Sequence, residues 1–233
     1  MGLLFSEEYV KMGGRVVMSD INADALAAAV DKVNAISADS AIGVTCDVRD
    51  YGQVCAVRDA AMEKFGRIDV LIPFAGGSEL RMLNIAERDF AKVPIDVYDW
   101  SIDVNLKGPL YFAHSIIGVM KEQQRGVIVL LGSITGFEGS PHSVGYATSK
   151  SALMHGVTTS LAQYGAPYGV RCVCVAPGPV LTRAAMANMK TAIGRAAEPI
   201  EIISAIMFYI SDESSSFTGQ SVLIDGGRAT MLP

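Results

Sequence analysis

The chain has 233 residues, a formal net charge of −5 and 50% hydrophobic residues, with a pI near 5.2. That balance excludes a disordered chain and suits one domain with a sizeable core. An acidic chain without a Lys/Arg run argues against a nucleic-acid surface, and without a long apolar run or a signal-type N-terminus the expectation is a cytoplasmic protein with no membrane partner.

Short apolar runs alternate with helical stretches along the chain. After a first helix over Leu4 to Met12, Arg15 to Ser19 reads as a strand that ends at Asp20. An Ala-rich helix follows from Ala23 to Ile36, with Asn22 as its N-cap. Ile42 to Cys46 is a second strand ending at Asp47, and Tyr51 to Phe65 is a helix stopped by Gly66. Val70 to Ile72 is a third strand running into Ala75-Gly76-Gly77, then Val97 to Gln124 a long helix. Val127 to Leu131, Val170 to Val175 and Val222 to Ile224 are further strands, separated by helices over Val144 to Tyr164 and Ile200 to Ile210. Strands alternating with helices predict right-handed βαβ units, hence a single α/β domain: a doubly wound, Rossmann-like parallel sheet with helices on both faces. Cys46, Cys55, Cys172 and Cys174 lack zinc-site spacing and read as packed thiols, so no metal is expected.

In such a sheet, ligands bind beyond the carboxyl ends of the strands. Asp20, Asp47, Ala75-Gly76, Ser133 and Pro177-Gly178 each directly follow a predicted strand. Tyr146 and Lys150 are four residues apart in a predicted helix and so share a face. A cation beside a phenol favours the phenolate, and lowering a tyrosine pKa by roughly three units corresponds to about 4 kcal/mol. Such a tyrosine could act as acid or base near neutral pH.

The ordered set Asp20, Asp47-Val48, Ala75-Gly76, Val104-Asn105, Gly132-Ser133, Tyr146-x-x-x-Lys150 and Pro177-Gly178-Pro179-Val180-x-Thr182 resembles the short-chain dehydrogenases/reductases along essentially the whole chain. The resemblance implies NAD(P)-dependent hydride transfer between an alcohol and a carbonyl. It casts Tyr146 as general acid/base, Lys150 as the residue that lowers its pKa and holds the nicotinamide ribose, Ser133 as the orienter of the substrate oxygen, and Asn105 as holder of a relay water. It also implies that Asp47 and Val48 flank the adenine, that Ala75 and Gly76 let the protein backbone approach the cofactor closely, and that Val180 and Thr182, after Pro177-Gly178, meet the nicotinamide amide and a phosphate. An Asp at position 20, followed by Ile21-Asn22 with no basic residue in sight, predicts NAD(H), with NADP(H) as second choice.

Expected partners are a small alcohol or ketone of hydrophobic character and further copies of the chain, as a tetramer or dimer built on the helices Val97 to Gln124 and Val144 to Tyr164, whose apolar residues cover more than one face. His142 reads as a surface residue.

Two features depart from the family pattern. The chain opens at Met1-Gly2-Leu3-Leu4, aligned with the end of the family's glycine loop, so the first strand and nearly all of that loop are expected to be missing. An unpaired strand edge or a gap in the core is then expected. Pro73-Phe74 stands where the family usually has two asparagines, removing a backbone donor and a side-chain amide. A catalytically silent binding subunit is the alternative reading that the first departure suggests.

Overall fold

A computed structural model describes residues 1–231. It contains six strands: β1 (Val16–Asp20), β2 (Ala41–Thr45), β3 (Val70–Leu71), β4 (Gly126–Leu131), β5 (Val170–Pro177) and β6 (Ser221–Ile224). All pairings are parallel. The ten helices are α1 (Gly2–Lys11), α2 (Ala23–Asn34), α3 (Tyr51–Phe65), α4 (Glu79–Met82), α5 (Ile95–Ile102), α6 (Gly108–Gln123), α7 (Ile134–Glu138), α8 (Val144–Ala152), α9 (Thr158–Gly165) and α10 (Pro199–Ile210).

The expected α/β fold is present, and so is the expected break. β1 pairs with β2 alone, while β3-β4-β5-β6 form a separate sheet. Between the two pieces lies a cavity of about 930 Å³, lined by β1 on one side and by Val70 and Leu71 on the other, with α1, α3 and α6 closing it.

Every residue of β4 is buried, which explains its unbroken apolar sequence. Successive side chains go to opposite faces. Ile128, Leu130, Cys172 and Cys174 pack with α3, α6 and α9, whereas Val127, Val129, Leu131, Val173 and Val175 pack with α1 and α10. Cys172 and Cys174 are therefore packed thiols, as expected, and no cluster of metal-ligand residues occurs among the described residues.

Element ends follow local chemistry. Asn22 accepts a hydrogen bond from the Ala25 N–H at the start of α2, and Gly66 adopts φ 71° after α3. The long helix expected over Val97 to Gln124 is interrupted by a π turn at Asp103–Lys107. Pro109 has no N–H to donate to the carbonyl four residues earlier, that of Asn105, so the regular ladder cannot pass through this point. A second π turn, Leu153–Val157, separates α8 from α9 where the Thr158 hydroxyl donates to the Leu153 carbonyl at 2.6 Å. The short helices α4 and α7 fall in segments without a helical period in the sequence.

Candidate active site

β4 delivers Gly132 and Ser133 to the carboxyl edge of the sheet, where the Ser133 hydroxyl accepts from the Thr135 N–H at 3.1 Å and caps α7. α7 then crosses α8 very closely, since a Cβ on Gly136 would lie 2.7 Å from the Lys150 backbone. That crossing sets Ser133 beside the Tyr146 phenol. Lys150, one turn after Tyr146, is 5% exposed and donates from Nζ to the Leu131 carbonyl at 2.8 Å. Its Nζ stands 5.6 Å from the centre of the Tyr146 ring.

The electrostatics of this cluster differ from the expectation in one respect. Burial raises the Tyr146 pKa above its ordinary value, offset in part by Ser133, Arg81 and Arg183, with the Glu79 carboxylate adding to the rise. Burial also pulls Lys150 down to about 8. The Lys150 ammonium is turned to a main-chain carbonyl, and desolvation is the leading influence on both groups, so the phenol's pKa stands above its ordinary value rather than below it. Tyr146 is a protonated phenol at neutral pH, the form that can donate.

Asn105 is fully buried beside them, and the π turn aims its amide at the loop after β3. Its Oδ1 accepts from the Gly77 N–H at 2.8 Å, and its Nδ2 donates to the Gly77 carbonyl at 3.1 Å and the Ser101 carbonyl at 3.0 Å. The side chain therefore clamps a loop. Gly76, at φ +143°, fits this clamp because a Cβ would come within 2.5 Å of Asn105 Oδ1 and 3.8 Å of Lys150 Nζ. Ala75 and Gly76 remain exposed, lining the cleft with Asp20, Asp47 and Val48.

Asp20 ends β1, and its carboxylate accepts from the Asn22 N–H at 2.9 Å. The expectation that no basic group stands nearby is corrected by Arg49, which lines the same cleft and forms a 2.6 Å ion pair with Asp47. That pair holds the Asp47 carboxyl below its usual range. Phe74 and Pro73 also acquire a reason. Pro73 is buried, and the Phe74 ring lies 5.8 Å from the Phe5 ring of α1, filling core where an asparagine would need polar partners.

On the far side, the Gly178 N–H donates to the Ile224 carbonyl at 2.9 Å, and a Cβ there would meet the Asp225 backbone at 2.5 Å. Pro177 ends β5, Val180 is buried in the α10-side core, and Thr182 is exposed. The Val180 side chain is thus a core group, which leaves only its backbone to face a ligand. His142 is exposed, with Nδ1 3.3 Å from the Arg88 carbonyl.

Sequence reading missed Glu79, Arg81 and Arg183 at this site. They lie in the segments that follow β3 and β5, and no local pattern says that a charge in such a segment turns inward.

The same fold recurs in known proteins. Residues 1–229 match the family model described as enoyl-(acyl carrier protein) reductase, a branch of the short-chain dehydrogenases/reductases. The chain belongs to the short-chain dehydrogenase/reductase family. It is 35% identical over 241 residues to a 3-alpha-(or 20-beta)-hydroxysteroid dehydrogenase of Mycobacterium bovis, covering 100% of this chain and 86% of that one. It is 33% identical to a 3-oxoacyl-[acyl-carrier-protein] reductase of Thermotoga maritima, covering 97% and 90%. Among solved structures, levodione reductase superposes with a TM-score of 0.89 at 25% identity over 99% of this chain and 94% of that one. A 3-oxoacyl-[acyl-carrier protein] reductase from Brucella melitensis with bound NAD superposes at 0.84 and 28% identity, over 96% and 84%. This short-chain dehydrogenase/reductase is accordingly a nicotinamide-dependent oxidoreductase acting between alcohols and carbonyls, and none of these relatives supports a silent binding subunit. No helix among its described residues is long and apolar enough to cross a membrane.

Proposed function

We propose that this short-chain dehydrogenase/reductase reduces a small or medium ketone, or oxidises the corresponding alcohol, with Tyr146 as general acid/base and NAD(H) as preferred cofactor. The observation that supports the reading is the packing of buried Ser133, Lys150 and Asn105 with Tyr146 at the carboxyl ends of the strands, behind the Gly76–Gly77 loop that borders the cleft. The cleft fits a dinucleotide. Asp20 offers a carboxylate to a ribose, Asp47 and Val48 line the cleft where they would flank the adenine, and the Gly76 backbone is bare where a ligand must approach closely. When bound, the cofactor supplies or accepts the hydride.

The chain's own residues do the rest. Ser133 orients the substrate oxygen, and Tyr146 passes a proton to it during reduction or takes one during oxidation. Lys150 holds the nicotinamide ribose and, with its pKa near 8, can relay that proton. Asn105 braces the loop that borders both, with a relay water toward Lys150 as its further role. Pro177, Gly178, Val180 and Thr182 form the wall at the nicotinamide end. The raised Tyr146 pKa favours carbonyl reduction at neutral pH and alcohol oxidation at alkaline pH.

The preference for NAD(H) rests on the exposed Asp20 carboxylate, with the neighbouring Arg49 neutralised by Asp47. Met186 and Met189, half-buried, give a pliant apolar wall, in keeping with relatives named for hydroxysteroids and for trans-4-hydroxycyclohexanecarboxylate. Assembly as a dimer or tetramer through α5–α6 and α8–α9 is part of the proposal, on a corrected basis. Ile116, Ile117 and Met120 are used up inside the subunit, so the support is the open surface at Gly118 and Gly156, where a Cβ would meet nothing within 4 Å. Light scattering at micromolar protein gives a dimer or tetramer mass, and a monomer overturns the assembly.

The catalytic reading is tested by following NADH oxidation with a panel of cyclic and linear ketones. Tyr146→Phe lowers kcat by about a thousand-fold or more, within the range for loss of a general acid. Equal turnover by the variant overturns the assignment, and a higher kcat/KM with NADPH overturns the cofactor preference.

A further inference from the structure

Glu79 is a carboxylate with no exposed surface, although Glu is among the residue types least often buried. It belongs to α4, directly after the loop that borders the cleft. Its Oε1 accepts from the Gly145 N–H at 3.1 Å, and its Oε2 accepts from the Tyr146 N–H at 3.2 Å and from the Ser101 hydroxyl at 3.2 Å. The first two donors belong to the opening turn of α8, which has no cap from its own Ser143 side chain. A helix leaves its first N–H groups without intrahelical partners, and its N-terminus favours a negative charge. Here that charge arrives from another element, 66 residues earlier in the chain.

The contacts continue past Ser101. The Asn105 Nδ2 donates to the Ser101 hydroxyl at 3.3 Å, and the same amide clamps Gly77. One buried carboxylate therefore joins the turn that carries Tyr146, the π turn that carries Asn105, and the loop of Gly76 and Gly77. Gly145 lets α8 approach that closely, because a Cβ there would lie 2.9 Å from the Ser101 side chain.

We propose that Glu79 is a positioning residue for the reaction, capping α8 from outside so that Tyr146 is held in register with Asn105 and the Gly76–Gly77 loop. The proposal rests on the reading of Tyr146 as acid/base. It implies two effects of the carboxylate on the phenol. As a cap, Glu79 holds the backbone of Tyr146. As a charge, it raises the phenol's pKa against Arg81 from α4 and Arg183 from the segment after β5, which lower it, with Ser133 beside the phenol and Lys150 one turn along α8.

Glu79→Gln separates these effects from simple packing, because it keeps the shape and one acceptor oxygen while removing the charge. The first measurement needs no turnover: the ring carbon bearing the hydroxyl is followed by 13C NMR in tyrosine-labelled protein against pH, with Tyr146 assigned from the Tyr146→Phe spectrum. In Glu79→Gln the Tyr146 titration moves to lower pH by about half a unit or more, the sign expected when a neighbouring negative charge is removed. In turnover, kcat falls at least about ten-fold while KM for the cofactor stays within about two-fold, the split expected when alignment rather than binding is lost. Glu79→Asp, which keeps the charge, retains the wild-type titration.

An unchanged Tyr146 titration in folded Glu79→Gln, with only a lowered melting temperature, overturns the proposal and leaves Glu79 a structural cap. If no ketone is turned over by wild type, the titration still decides the role of Glu79, and the missing turnover counts against the catalytic reading alone.

Discussion

The two pieces of the sheet are built to different standards. In β3-β4-β5-β6, the central strands β4 and β5 are almost wholly buried, and every residue assigned to proton transfer hangs from this piece or the helices packed on it. In β1-β2 the strands are half open, and this piece carries Asp20, with Asp47 just beyond it, the residues proposed to meet the cofactor's adenosine end. Between them, the free edges of β1 and β3 border a cavity of about 930 Å³. Acid/base chemistry needs a few groups held to fractions of an ångström, which a dry, continuous core supplies. A dinucleotide must be gripped along its whole length, so it depends on how firmly the second piece is joined to the first.

The largest expected effect comes from joining them. Adding an N-terminal segment with a strand and a glycine turn should pair both free edges and present backbone N–H groups to the pyrophosphate. Two or three charge-assisted hydrogen bonds at roughly 1.5–3 kcal/mol each correspond to about a hundred-fold or more in affinity. Calorimetry should then give poor NADH binding for the 233-residue chain and strong binding for the extended one. Micromolar binding by the 233-residue chain itself would show that the open edges do not matter.

The next effect probes the well-packed piece. Because Lys150 has a folded pKa of about 8 against 10.5 ordinarily, the unfolded chain binds more protons than the folded one between those values. Stability therefore rises as pH climbs from about 8 toward 10.5 on account of this residue, and below 8 its full cost applies. Lys150→Met should be more stable than wild type at pH 7 by roughly 3 kcal/mol, with the gain fading above pH 10. Urea melts of the two proteins across that range check the sign; a gain that does not change with pH would mean that Lys150 is not desolvated as described.

The smallest effects compare one glycine from each piece. Gly178→Ala places a Cβ 2.5 Å from the Asp225 backbone, whereas Gly43→Ala in β2 meets only the side chains of Val30 and Leu26, at 3.0 and 3.1 Å. The first should cost about 2 kcal/mol in a denaturant melt, and the second well under about 1 kcal/mol. Equal costs would mean that the two pieces are equally tight.

Much of this was written in local sequence. Hydrophobic runs alternating with helical periods, Asn22 and Gly66 as helix ends, and polar residues stationed after strands are all consequences of backbone geometry a few residues long. Tyr146 and Lys150 could be paired from their spacing, because one helix carries both. The resemblance, read over the whole chain, supplied Asn105 and the expected break in the sheet.

What the tertiary structure alone decided are the facts that depend on residues far apart in the chain. Asn105 is aimed at Gly77, Phe74 closes on Phe5, and Lys150 donates to Leu131. Glu79 is the sharpest case. In the sequence it is one acid among 24 Asp and Glu residues, and only folding removes it from water and sets it at the head of a helix 66 residues away. Burial and long-range hydrogen bonding set the energy of a charge, and neither is a property of the residues beside it in sequence.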